Sequence, residues 1–144
     1  MSDSANIGLI RRWMDEVWNQ QREPTVHELL RADAVGHLEG LTTHTVDEFM
    51  AARAILLEAF PDFRLHVEDV IAQGSNVAVR WTAAGTHRGA LLDVPATGMA
   101  VTCRGATWFV VEDGRIVEGW DCWNQGRLLA DLRVAASTRS QGSA

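Results

Sequence analysis

Pro61 divides this sequence into two regimes of hydrophobic spacing, and any fold it adopts must satisfy both. Before the proline, apolar residues recur every three or four positions. From Phe63 onward they alternate, with Phe63, Leu65 and Val67 separated by Arg64, His66 and Glu68. The first pattern buries a stripe of a helix and the second buries one face of a strand. Helices followed by a run of strands predict an α+β fold, with the helices gathered on one side of a curved antiparallel sheet.

In the helical half, Ile7, Ile10, Met14, Val17 and Trp18 define an amphipathic helix over residues 5–20, with Asp3 or Ser4 available as N-cap. Pro24 and the sequence Thr25-Val26-His27-Glu28 signal a second, short helix opened by a capping box and ending near Asp33. A brief strand over 34–38 follows. Thr45-Val46-Asp47-Glu48 is another capping box, opening a helix that Pro61 terminates.

In the alternating half, Gln73-Gly74-Ser75-Asn76 reads as a turn between strands 63–73 and 77–84. A Gly- and Thr-rich loop, GTHRGALLDVPATG, leads to a strand over 100–111. Asp113-Gly114 is a two-residue hairpin signal, and 115–123 is the last strand. A short closing helix is expected over 128–134. Residues 1–135 form a single domain in this reading, and 136–144 form a tail with nothing to bury.

The two cysteines, Cys103 and Cys122, have no metal-binding spacing and read as reduced core thiols. With a net charge of −6 and no basic cluster, the chain offers no footprint for nucleic acid. No apolar run reaches the ~20 residues needed to cross a membrane, and MSDSANIG lacks a signal-peptide layout. A cytoplasmic protein is expected.

The last strand carries the first chemical candidate. Counting outward from Asp113-Gly114 pairs Trp108 with Gly119, Ala106 with Asp121 and Arg104 with Trp123. Asp121 then shares a face with Arg104, Trp108 and Trp123, above two small residues. Either Arg104 and Asp121 form an ion pair, or Asp121 is the floor of an aromatic pocket. Desolvation would there raise its pKa toward the range of a general base. His37 follows a short apolar segment and could reach a pocket. His87 lies between glycines that allow close approach to a ligand. Met14, Trp18, Phe60 and Trp108 suit either a core or a cavity wall. Asp69 and Arg80 stand opposite one another across the first hairpin, as a cross-strand ion pair would. The last two strands are apolar on both faces, so a second subunit is expected to cover part of the outer one.

Taken together, FPDFRLHVEDVIAQGSNVAVRWTAAGTHRG, VPATG and EDGRIVEGWDCWNQGRLLADL resemble the SnoaL-like polyketide cyclases of the NTF2-like superfamily, over about residues 37–131. The resemblance implies a cone-shaped α+β barrel with a deep apolar pocket, commonly dimeric. It also implies ring closure by an intramolecular aldol-type reaction without metal or cofactor, in which a pocket aspartate takes a proton next to a carbonyl. Asp121 matches the last-strand segment that carries such an acid, and His87 matches the histidine of the GTH motif. Many members carry an aspartate four residues after the tryptophan of E-x-W. Here Asn124 holds that position, and the acid directly follows Trp120.

Two functions follow. One is a cofactor-independent enzyme acting on a small hydrophobic carbonyl compound through Asp121. With no tyrosine in the chain, enolate donors would come from His87, His37, Asn124 or an indole N–H. The other is a non-catalytic module that binds a small apolar ligand or dimerises.

Overall fold

The computed structural model describes residues 2–142 of the chain. Helix α1 (Asp3–Trp13) is capped by Ser2, whose hydroxyl accepts the Ala5 N–H at 3.1 Å. It runs directly into a π-helical stretch, Met14–Asn19. Helices α2 (Glu23–Leu29) and α3 (Val46–Ala59) flank the strands β1 (Leu30–Leu38) and β2 (Leu41–Thr43). The chain then forms β3 (Arg64–Gln73), β4 (Asn76–Thr86), β5 (Ala100–Glu112) and β6 (Arg115–Trp123), and closes with α4 (Gln125–Gly142).

The second capping box forms as its sequence dictates. Thr45 accepts the Glu48 N–H at 3.0 Å, and the Glu48 carboxylate reaches back to the His44 N–H at 2.9 Å. The first does not form. Helix α2 begins earlier, at Glu23, and Thr25 is buried, donating its hydroxyl hydrogen to Glu16 at 2.7 Å. Helix α4 is far longer than 128–134. The tail expected from 136 onward is helical to Gly142, Ala136 packs on a small apolar cluster, and residues 143–144 lie outside the described chain.

The six strands form one curved sheet in the order β2-β1-β6-β5-β4-β3. It is mixed rather than antiparallel, because β1 runs parallel to β6. Nor is it a closed barrel, since β2 and β3 remain edges. The parallel pairing arises because β1 precedes the long α3 and β3–β5 excursion, and β6 returns beside it in the same direction. Most of the core fills the space between the sheet's inner face and the N-terminal helices. Ile10, Trp13, Met14 and Val17 pack there against Val77, Val79, Phe109 and Ile116.

The hairpin between β5 and β6 turns at Asp113-Gly114, both with positive φ (50° and 75°), as a type I′ turn requires. Glu112 pairs with Arg115 and Val111 with Ile116, but Val110 then pairs with Glu118. Val117 is an extra residue without a partner, a β-bulge. Every pair beyond it is displaced by one from the simple count. Asp121 therefore lies opposite Thr107, not Ala106.

The FPDF and GTHRG segments form one clamp. Asp62 accepts the Thr86 N–H at 2.7 Å and its hydroxyl at 2.8 Å, which holds the Asp62 carboxyl below the usual carboxylate range. The carbonyl of Ala59, at the end of α3, accepts the N–H groups of Arg88 and Gly89 at 3.0 and 3.2 Å. The approach is so close that a Cβ on Gly89 would stand 2.3 Å from the Glu58 carbonyl oxygen. Gly89→Ala should accordingly lower unfolding free energy by about 1–3 kcal/mol, read as a lower urea midpoint at unchanged slope.

Candidate functional site

The inner face of the sheet and the helices enclose a cavity of about 130 Å³. Its walls are almost entirely apolar. Trp13, Met14 and Trp18 come from the N-terminal helical segment, Phe49, Leu56 and Phe60 from α3 and the residue after it, and Leu128 from α4. Trp81, Val101, Phe109 and Trp123 come from the sheet. The π-helical stretch sets part of this wall. Gln20 donates to the Asp15 carbonyl at 2.9 Å, five residues back, and the buried Arg53 Nε donates to the Val17 carbonyl at 3.2 Å. Trp18 is thereby held edge-on to Phe49 and tilted against Phe63, with ring centroids 6.2 and 5.8 Å apart.

Among the described residues, one carboxylate lines this cavity. The bulge at Val117 turns Gly119, Asp121 and Trp123 inward, because a shift of one residue exchanges the faces of a strand. Thr107, across the ladder, donates its hydroxyl hydrogen to Asp121 Oδ1 at 2.9 Å. The same hydroxyl oxygen accepts the Trp81 Nε1–H at 3.0 Å. An indole N–H can only donate, so the direction of this chain is fixed: Trp81 to Thr107 to Asp121. The chain holds Oδ1 as an acceptor.

Gly105 makes the chain geometrically attainable. It lies between Trp81 on β4 and Trp123 on β6 in the same cross-sheet row. A Cβ there would stand 2.7 Å from the Trp81 ring and 2.8 Å from the Trp123 Cβ. The missing side chain is what lets the Trp81 indole lie across β5 toward Thr107.

Burial pushes Asp121 up to about 6; the Thr107 hydrogen bond acts against this, and the negative charge of Glu39 adds to it. The dominant cause is desolvation by the apolar walls, which favours the uncharged acid. Among the described residues, no arginine, lysine or histidine lines the cavity to reverse that preference. The remaining titratable group in the lining is Cys103, whose thiol burial also pushes up.

The sequence-derived candidates separate cleanly. Asp121, Trp123, Met14, Trp18 and Phe60 meet around the cavity. Arg104 does not: it is exposed on the outer face, opposite Thr82, so the Arg104–Asp121 ion pair is ruled out by the bulge. Trp108 is also on the outer face, half exposed, with its Nε1–H donated to Asn76 Oδ1 at 3.0 Å. His37 lies outside as well, stacked on Trp120 at 5.0 Å, with Nε2 2.7 Å from Glu118 Oε2. Asn124 instead caps α4, its Oδ1 accepting the Arg127 N–H at 2.9 Å. Cys122 is exposed rather than core. Asp69 does face Arg80, but its carboxylate accepts the adjacent Val70 N–H at 2.9 Å and no ion pair with Arg80 forms.

His87 is fully buried but does not line the cavity. It packs against Phe60, with centroids 5.5 Å apart, and Phe60 supplies the cavity wall. Nδ1 of the neutral ring lies 3.0 Å from Thr97 Oγ1 and 3.3 Å from the Thr97 N–H, and Nε2 is buried with no partner among the described residues. Desolvation lowers its pKa, which favours this neutral form. Its visible role is to anchor the 87–99 loop. Among the described residues, no group of three or more His, Cys, Asp or Glu side chains is placed to hold a metal ion, and no helix is long and apolar enough to cross a membrane.

Thr107, Trp81 and Gly105 escaped sequence reading. Thr107 had a signal: it is the polar member of an otherwise apolar alternation running through Val101, Cys103, Phe109 and Val111.

Two measurements test this electrostatic arrangement. Thr107→Val removes the one hydrogen bond that lowers the Asp121 pKa, so carboxyl NMR should show Asp121 titrating above its wild-type value of about 6. Because the folded-state pKa exceeds the unfolded one, the folded state binds more protons between about 4 and 6, and stability falls as pH rises through that window. The cost, at most about 3 kcal/mol, should be fully present above pH 6 and absent in Asp121→Asn, as urea unfolding at pH 4 and pH 7 would show.

The sequence matches the SnoaL-like polyketide cyclase family over residues 8–132. No curated protein matches it. Among solved structures, a candidate SnoaL-like polyketide cyclase from Jannaschia sp. CCS1 shares 25% identity over 88% of this chain and 90% of its own, with a TM-score of 0.83. AclR, a candidate hydroxylase from Streptomyces galilaeus, shares 29% identity over 91% and 97% of the two chains, with a TM-score of 0.80. IdmH, a candidate polyketide cyclase from Streptomyces antibioticus, shares 30% over 87% and 96%, with a TM-score of 0.75. With its NTF2-like architecture and a match over most of its length, the chain belongs to the SnoaL-like polyketide cyclase family.

Proposed function

We propose that the protein is a cyclase-type enzyme in which Asp121 acts as general base, and then as general acid, on a small neutral carbonyl compound held in the apolar cavity. The observation that carries this reading is the placement of a carboxylate, with a pKa of about 6, in a cavity where the described residues supply no second carboxylate and no cation. A base of that strength is ionised near neutral pH and still basic enough to accept a proton from an activated carbon. The Thr107 hydrogen bond occupies Oδ1 and leaves Oδ2 for the substrate.

In the aldol-type reaction, Asp121 removes a proton from carbon next to a carbonyl. The resulting enolate carbon attacks a second carbonyl carbon of the same molecule and forms the ring bond. The new alkoxide recovers the proton from the Asp121 carboxyl, so the enzyme is restored. The indole and phenyl walls select a flat, uncharged substrate, because an anion placed beside Asp121 would meet both repulsion and desolvation. His87 serves this reaction by holding the 87–99 loop and Phe60 in place.

The test is exchange of the activated C–H for deuterium in a neutral aromatic β-keto ester, followed by NMR. Asp121→Asn should reduce the enzyme-catalysed rate by about 10²–10⁴-fold. Exchange at the wild-type rate in that variant overturns the base assignment. Binding of the ester without any exchange by wild-type protein would favour the alternative, a non-catalytic ligand-binding module.

The same reading includes a homodimer through the outer face. Ile71, Trp108 and Trp120 are 65%, 50% and 39% exposed. Register places them in one row with Ala78, across β3, β4, β5 and β6. A second copy would cover that row. Sedimentation should give a dimer for wild type and a monomer for Trp108→Arg. A wild-type monomer at tens of micromolar removes the proposal.

A further inference from the structure

Strand β1 ends its pairing with β6 at His37 and Trp120, and the chain then turns through Glu39-Gly40 into β2. The β6 backbone continues past that point without a main-chain partner on the β1 side. Glu39 supplies one from its side chain: Oε1 accepts the Trp123 N–H at 3.1 Å. A carboxylate thus stands where the next rung of the ladder would be. Trp123 is a cavity wall, and it lies two residues, or about 7 Å, along the strand from Asp121.

We infer that Glu39 is a positioning residue of the Asp121 site, fixing the end of β6 through Trp123 and placing a second negative charge beside the cavity carboxylate. Glu39 does not line the cavity and so does not touch a bound molecule. It acts through Trp123 and Asp121, and in this respect the inference rests on the function proposed above. The electrostatic part is consistent with the upward influence of Glu39 on Asp121.

Among the described residues, no cation lines the cavity beside this charge. From β5, Cys103 faces the cavity as a thiol whose pKa burial raises, while Arg104 points to the other face. From β1 and β6, His37 and Glu118 pair with each other on the outer face. The residues that the helices contribute to the cavity, Trp13, Met14, Trp18, Phe49, Leu56 and Leu128, carry no charge.

Two substitutions separate the mechanical and electrical roles. Glu39→Gln keeps an oxygen that can accept the Trp123 N–H but removes the charge. Glu39→Ala removes both. Carboxyl NMR on the full-length protein without ligand should show Asp121 titrating on the order of 0.5–1 unit lower in Glu39→Gln. Trp123 amide exchange should stay near wild type in that variant and rise roughly tenfold in Glu39→Ala. An unmoved Asp121 titration in Glu39→Gln overturns the electrostatic role, and an unmoved Trp123 exchange rate in Glu39→Ala overturns the positioning role. Since neither readout needs a substrate, both remain decisive if Asp121→Asn proves that Asp121 is not the base. Where exchange of the β-keto ester is measurable, the acidic limb of its pH–rate profile should move to lower pH in Glu39→Gln.

Discussion

The site depends on one extra residue in a hairpin. Without the bulge at Val117, the Asp113-Gly114 turn would send Asp121 to the outer face beside Arg104, where a carboxylate is ordinary and paired. With it, Asp121 enters an apolar cavity and Trp120 is left outside to stack on His37. The strand's period of two makes this all-or-none, since no intermediate register exists. Bulges also bend the strand that bears them. This one occurs where β6 must run beside both β5 and the parallel β1.

Moving a carboxylate inward has an electrostatic consequence that the rest of the site manages rather than removes. A cation in the cavity would stabilise the charged form and lower the pKa toward that of an inert ion pair. The structure instead provides one neutral hydrogen bond, from a hydroxyl whose own acceptor site is filled by an indole N–H. That bond fixes orientation at modest electrostatic cost. Gly105 belongs to the same arrangement, because the Trp81 indole reaches Thr107 only across a residue without a Cβ.

Most of the architecture was legible in the spacing of apolar residues. The switch at Pro61, the Thr45 capping box and the Asp113-Gly114 turn each have a local physical cause, and each appears where expected. The parallel β1–β6 contact was not legible, because it joins segments about eighty residues apart and no local pattern encodes it. Of the ten candidate residues, five line the cavity: Asp121, Trp123, Met14, Trp18 and Phe60. Arg104, Trp108 and His37 were misplaced. The register count behind the first two assumed a regular ladder, and a bulge of one valine between other β-formers leaves no compositional trace.

His87 shows why recognising a family by its motifs does not by itself locate its chemistry. The FPDF and GTHRG segments are the most distinctive parts of the sequence, yet in three dimensions they form a clamp between α3 and the 87–99 loop. Asp62 holds Thr86, Ala59 holds Arg88 and Gly89, and His87 is buried behind Phe60. These contacts position one wall of the cavity, to which Phe60, Phe63 and Gly85 contribute, while His87 stays outside it. A chain could keep the whole clamp while exchanging Thr107 or Asp121, and it would then retain the fold with a different function or none. The clamp thus shapes one wall of the cavity, while Asp121 comes from the last of the segments that carry the family resemblance, EDGRIVEGWDCWNQGRLLADL.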